Sequence, residues 1–249
     1  MKQIDTANKD STCKGEWLIQ DKLRHPIIRF NHYIIEQTHV SWIPTELGMD
    51  KIDLLNVPDE TLYYLSGWLL KDYQIDKHLE YDFNDKTKRL FLLPSFELNR
   101  LIMIAGLTAY QDEIAKIISG KELRHLKKIF GDTLMAFTRN KAPFMMSSPF
   151  YYALDPEVPE GYFKKPSAYT EQDISHSVYS AGLRILAAAL GAYPKPLKRR
   201  LMWKLDKKYT SFIKVSFALA SDRDRGEKAG KLLLKLTREL DTSCSQLFK

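Results

Sequence analysis

The chain has 249 residues, of which 44% are hydrophobic and 28% charged, a balance that supports a sizeable core and excludes disorder along the whole length. Its formal net charge of +7 is unevenly placed: from Lys195 onward 15 basic residues stand against 6 acidic ones, a local charge of +9, whereas the first 194 residues carry 23 and 25, or −2. Two cysteines, Cys13 and Cys244, exclude a disulfide framework and a cysteine zinc site and fit a reducing, cytosolic setting, and the lack of any run of about 18 apolar residues excludes a membrane-spanning helix.

In chain order, residues 1–13 read as a loose polar leader without the apolar stretch of a signal peptide. A short helix is expected near Trp17–Leu23, followed by irregular packed structure, because Ile28, Phe30, Tyr33, Ile34 and Trp42 follow no clean period. A second helix starts near Asp59, after Pro58, and runs to about Leu70. The charged stretch Lys71–Lys88 reads as an exposed loop. Ser95, after Pro94, reads as the cap of a central helix that is apolar nearly all round and ends at Gly120. The next helix carries Leu123, Leu126, Phe130, Leu134 and Phe137, with Gly131 inside it predicting a break or a close packing contact.

Five prolines between Ala142 and Ser167 forbid a continuous helix there and predict an ordered surface loop. Thr170, with Asp173 three residues on, caps a helix that Gly191 and Pro194 close. Pro196–Leu205 forms a short basic helix, and a last helix spans about Gly226–Leu240. Phe212–Leu219 alternates like a strand but also fits helical spacing, so both readings stay open. The fold class is mainly α: an irregular multi-helix domain over 14–249, divisible into 14–141 and 168–249 around the Pro-rich loop 142–167, with a minor strand near 212–219 as the open alternative.

Motifs of chemistry are absent. Neither HExxH nor CxxC occurs, and His25, His32 and His39, seven apart, lack carboxylates at ligand spacing. ISGKE at Ile118–Glu122 lacks the upstream glycine and the hydroxyl of a P-loop, and Asp222 and Asp224 are offset by Arg223 and Arg225. No cofactor is expected and no catalytic residue stands out. The basic cluster Lys198, Arg199, Arg200, Lys204, Lys207 and Lys208, interleaved with Trp203 and Tyr209, is the one feature that suggests binding. Nucleic acid is one reading of it, as a basic module over 198–208, an acidic protein partner is another, and a merely solvated face is the third.

The order of several segments resembles the SctK family of type III secretion systems, which includes YscK, PscK, OrgA and MxiK. The early elements are Phe30-Asn31 and His39-Val40-Ser41-Trp42-Ile43-Pro44. The central ones are the apolar helix Leu101–Gly120, then Leu123-Arg124-His125-Leu126 and Phe130-Gly131. Later come Arg199-Arg200-Leu201-Met202-Trp203-Lys204-Leu205, the helix Lys231–Leu240 and the tail Cys244–Phe248. The enlarged segment 71–88 and the Pro-rich stretch 142–167 depart from the pattern. The resemblance implies a non-enzymatic cytoplasmic adaptor of the sorting platform, linking the cytoplasmic domain of an SctD-like inner-membrane ring protein to an SctQ-like pod protein and meeting the membrane only through the ring. On that reading Trp42, Arg199, Arg200 and Lys204 are the expected interface residues, with core packing the alternative for Trp42.

Overall fold

The structure, a computed structural model, describes residues 22–43, 56–145, 153, 162–220, 222–240 and 242–248; among these all regular structure is helical and no strand occurs. The leader over 1–13, residues 17–21 of the first expected helix and most of the Pro-rich loop lie outside the described residues.

Residues 22–32 form helix α1, where the sequence suggested irregular structure. Its inward positions Leu23, Ile27 and Phe30 are spaced 4 and 3, and Ile34 at the start of the next helix keeps the stripe, which the exposed Ile28 and half-buried Tyr33 had obscured. Pro26 is accommodated, and the break comes at Tyr33, where φ −127° and ψ 36° separate α1 from the short α2 (Ile34–Gln37). Helix α3 (Asp59–Asp72) follows. Beyond it, the charged stretch is a loop as expected, but a tethered one. The Asn31 side chain donates to the Glu80 carbonyl (2.6 Å) and accepts from the Glu80 N–H (2.9 Å), and Phe83 packs edge-on against Phe30.

Helix α4 (Ser95–Ala109) begins at Ser95 itself, whose hydroxyl donates to the Gln37 carbonyl and does not cap the helix. It stops at Tyr110, well short of Gly120, and α5 (Gln111–Ala115) follows. Leu107, Tyr110, Ile114 and Ile117 are all buried, so the apolar period runs on across a bend that it does not mark. Gly120 opens α6 (Gly120–Phe130), with Ser119 accepting from the Glu122 N–H. The break expected at Gly131 is present: φ +83° there, a region open to glycine, divides α6 from α7 (Asp132–Asn140). Helix α8 (Ala142–Met145) follows.

Helix α9 (Glu171–Leu190) starts with the full capping box of Thr170 and Asp173. Then come α10 (Lys195–Trp203), α11 (Thr210–Leu219) and α12 (Arg223–Leu236). The segment Phe212–Leu219 is therefore helical, which overturns the strand reading. Ser216 donates back to the Phe212 carbonyl, Ile213 is buried and Phe212 and Phe217 lean on the core. A strand there would have found no partner strand among the described residues. After α12 a single turn (Thr237–Glu239), α13 (Thr242–Ser245) and a final turn (Gln246–Phe248) return Leu247 and Phe248 to the core.

Packing centres on α4 and α9. A Cβ added at Gly106 would stand 1.8 Å from the Val178 carbonyl oxygen, and one at Gly182 would stand 1.9 Å from that of Ile102. Ile102/Gly106 and Val178/Gly182 are thus matched i, i+4 pairs, and each backbone presses into the other's glycine. Helices α10, α12 and the C-terminal turns close the main apolar cluster around this crossing. A second cluster lies under α5 to α7 and Tyr162–Phe163, and a third joins α2, α3 and Trp203.

Candidate docking surface

Three of the four expected interface residues are interior. Arg200 and Lys204 have no exposed surface, and Trp42 is 8% exposed. The sequence elements that carried the family resemblance meet each other here. Arg200 Nη1 donates to Asn31 Oδ1 (3.0 Å), and both Arg200 and Lys204 lie over the Phe30 ring, at 5.1 and 5.4 Å. Trp42 Nε1 donates to the Leu205 carbonyl (2.9 Å) and the His39 N–H to that of Trp203 (2.7 Å). Phe30-Asn31, the His39–Trp42 element and Arg199–Leu205 therefore form one internal node that fastens the N-terminal helices to α10.

The node is electrostatically unusual because it holds two basic side chains and, among the described residues, no carboxylate in direct contact. Burial lowers the Lys204 amine to about 7, with the neighbouring Arg200 charge adding to the effect. Its Nζ donates to the carbonyls of Phe91 (2.6 Å) and Leu93 (2.7 Å), two acceptors that match the two N–H groups of a neutral amine. Desolvation lowers Arg200 to about 10, which leaves it charged at neutral pH.

The remaining cations of the basic cluster are also engaged. Lys198 donates to the Gly191 carbonyl and lies over Phe217, and Lys208 pairs with Asp206. Arg199, half-buried, stacks over Tyr73 at 4.9 Å, and Lys207 lies over Trp42. This is not a continuous phosphate-tracking stripe. Among the described residues no three His, Cys, Asp or Glu side chains are placed to hold a metal ion, and no helix is long and apolar enough to cross a membrane. Asp222 is engaged as the cap of α12, accepting from the N–H groups of Asp224 and Arg225.

What the fold does expose is an aromatic face on α3. Leu62, Ser66, Leu69 and Leu70 point inward, so Tyr64 (74% exposed) and Trp68 (44%), one turn apart, point outward. Tyr63 extends the face by stacking on His32 (6.0 Å between ring centres) and meeting Tyr33 edge-on, and His32 continues it to Tyr81, whose hydroxyl is 3.1 Å from His32 Nε2. Gly67 lies on the same helix, and a Cβ there would meet nothing within 4 Å beyond its chain neighbours and the helix's own backbone. Exposed tyrosine and tryptophan are residue types that anchor protein interfaces. The sequence reading placed this helix correctly but missed the face; the signal was the Tyr64–Trp68 spacing out of phase with Leu62 and Leu69.

Comparison with known proteins agrees with the resemblance seen in the motifs. The family described as YOP proteins translocation protein K (YscK) matches residues 29–249, nearly the whole chain. No curated protein and no solved structure matches it.

Proposed function

The chain belongs to the YscK family of type III secretion components, and on that premise we propose that it is a non-enzymatic adaptor of the cytoplasmic sorting platform. In this role it links the cytoplasmic domain of an SctD-like ring protein to an SctQ-like pod protein and reaches the inner membrane only through the ring. The observation that carries the reading is the aromatic face of α3. A helix that exposes Tyr63, Tyr64 and Trp68 to solvent is suited to being covered by a partner. Arg199, the one expected interface residue that keeps access, stacks on Tyr73 just past the C-terminal end of the same helix, on the side that meets Trp203 and away from Tyr64 and Trp68.

Capture of the two partners by the folded full-length chain tests the reading. The double variant Tyr64→Ala/Trp68→Ala is expected to weaken capture of one partner by about tenfold or more while leaving the circular dichroism spectrum and urea midpoint near wild type. Gly67→Leu, which sets a bulky side chain beside Tyr64 and Trp68 at a position where a Cβ meets nothing outside its own helix and chain neighbours, is expected to do the same. A folded wild-type chain that captures neither the ring nor the pod protein refutes the adaptor role.

A further inference from the structure

Arg200 is completely buried, yet its guanidinium is only partly satisfied. Nη1 donates to Asn31 Oδ1 (3.0 Å), while Nε and Nη2 have no hydrogen-bond partner among the described residues. Those two N–H groups lie parallel on one edge of the guanidinium, the fork that a carboxylate fills with both of its oxygens. A buried charge with this fork unfilled is costly. Desolvation accordingly lowers Arg200, and the Glu80 charge is the first to oppose it.

Glu80 stands beside that fork. Its N–H donates to Asn31 Oδ1 (2.9 Å), the same oxygen that accepts from Arg200, and its carbonyl accepts from Asn31 Nδ2 (2.6 Å). Asn31 thus clamps the Glu80 backbone one oxygen away from the guanidinium. The Glu80 carboxylate, however, is turned outward: it pairs with Lys88 (2.9 Å), and its Oε1 accepts from the Asp82 N–H (3.0 Å). Because the clamp holds only backbone atoms, rotation about the Glu80 side-chain bonds is enough to change the carboxylate's partner. The outer pair is partly solvated and therefore weak. The inner pair is bidentate and, with Arg200 already desolvated, costs only the burial of the carboxylate.

We propose that the Glu80 carboxylate is a two-position switch, seated on Lys88 in one position and on the Nε/Nη2 edge of Arg200 in the other, and that it couples the internal node to the aromatic face of α3. Tyr81 transmits the change. It lies between the clamped Glu80 backbone and the Asp82 N–H that the carboxylate holds, and its hydroxyl meets His32 Nε2, whose ring stacks on Tyr63. Inward rotation of Glu80 releases Asp82 and loosens Tyr81 from that face. A partner docked across Tyr63 and Tyr81 favours the Lys88 seat, in which Tyr81 completes the face. The coupling rests on the docking role of α3; the switch itself does not.

NMR of the Arg200 Nε–H group and the Asp82 amide, in the isotope-labelled full-length chain, tests the switch without any partner. Lys88→Met removes the outer seat and keeps an apolar stem against Phe83, over which the lysine lies. It is expected to move the Arg200 Nε–H signal downfield, to slow its exchange with water by about fivefold or more, and to speed exchange of the Asp82 amide by a similar factor. Adding Glu80→Gln is expected to abolish the Arg200 changes, and Lys88→Arg, which keeps the outer seat, to leave the wild-type spectrum. Lys88→Gln replaces Lys88→Met if that variant fails to fold. An Arg200 signal in the folded single variant that coincides with that of Lys88→Met/Glu80→Gln overturns the switch. Capture of the α3 partner by Lys88→Met is expected to weaken about threefold or more. Unchanged capture, where the wild-type chain does capture the partner, overturns the coupling. A wild-type chain that captures no partner refutes the adaptor reading and leaves the switch to the NMR result alone.

Discussion

Helices α10 and α12 share the basic C-terminal section and treat their cations in opposite ways. In α10, Arg200 and Lys204 lie in phase with Leu197 and Leu201, an i, i+3, i+4, i+7 stripe, and all four are buried. In α12, Lys228, Lys231 and Lys235 form a stripe of their own, offset from Ala229, Leu232, Leu233 and Leu236, and stay on the surface. Two basic helices thus yield an internal fastening in one case and a solvated, ion-paired face in the other. The lesson is that a count of positive charge says nothing of its availability. Phase relative to the leucines decides that, and here it removes the two central cations of the cluster from any partner.

The comparison breaks hardest at Arg200. Arg200→Ala deletes a fully buried side chain, its hydrogen bond to Asn31 and its stacking on Phe30, and is expected to cost about 3 kcal/mol or more in urea unfolding. A loss near zero would mean that α10 is not fastened through this node.

Lys204 sharpens the contrast through pH. Its amine titrates near 7 in the folded chain and at its ordinary 10.5 when unfolded, so between those values the unfolded chain holds a proton that the folded chain has released. Native stability relative to Lys204→Met is therefore expected to rise with pH across that window, by about 1 kcal/mol per pH unit, and to be flat below pH 7. The comparison with Met removes the titrations common to both proteins. A difference that stays constant from pH 7 to pH 10 would place the amine in a wetter site than the structure gives it.

The smallest effect is expected in α12. Lys231→Ala removes an exposed partner of Glu227 and should leave the urea midpoint unresolved from wild type, at low and high salt alike. Together, a large loss at Arg200 and none at Lys231 would establish that burial, not charge, separates the two helices.

Local chemistry in the chain was informative where the answer is local. The capping box of Thr170 and Asp173, the break at Gly131 and the 4, 3, 4, 3 spacing of α9 are each set by residues within a turn or two, and all are present in the fold. The bend at Tyr110 was not legible, because buried apolar residues continue on both sides of it. Nor was the reciprocal insertion of Gly106 and Gly182, since each glycine is explained only by a carbonyl on the other helix. The aromatic face of α3 was half-legible: its helix could be placed, but its outward side required knowing that α2 and Trp203 cover the other.

By itself the sequence determined a mainly α chain, the positions of its long helices and, through the order of its motifs, its family. Only the tertiary structure decided what those motifs are for. Periodicity and capping act over a few residues, so they can be read along the chain. The burial of Lys204 depends on carbonyls 111 and 113 residues away, and that of Trp42 on one 163 residues away. Such contacts turn the most basic segment from an expected docking surface into the bolt that fastens residues 30–42 to α10, and the aromatic face of α3 is the surface we propose for docking.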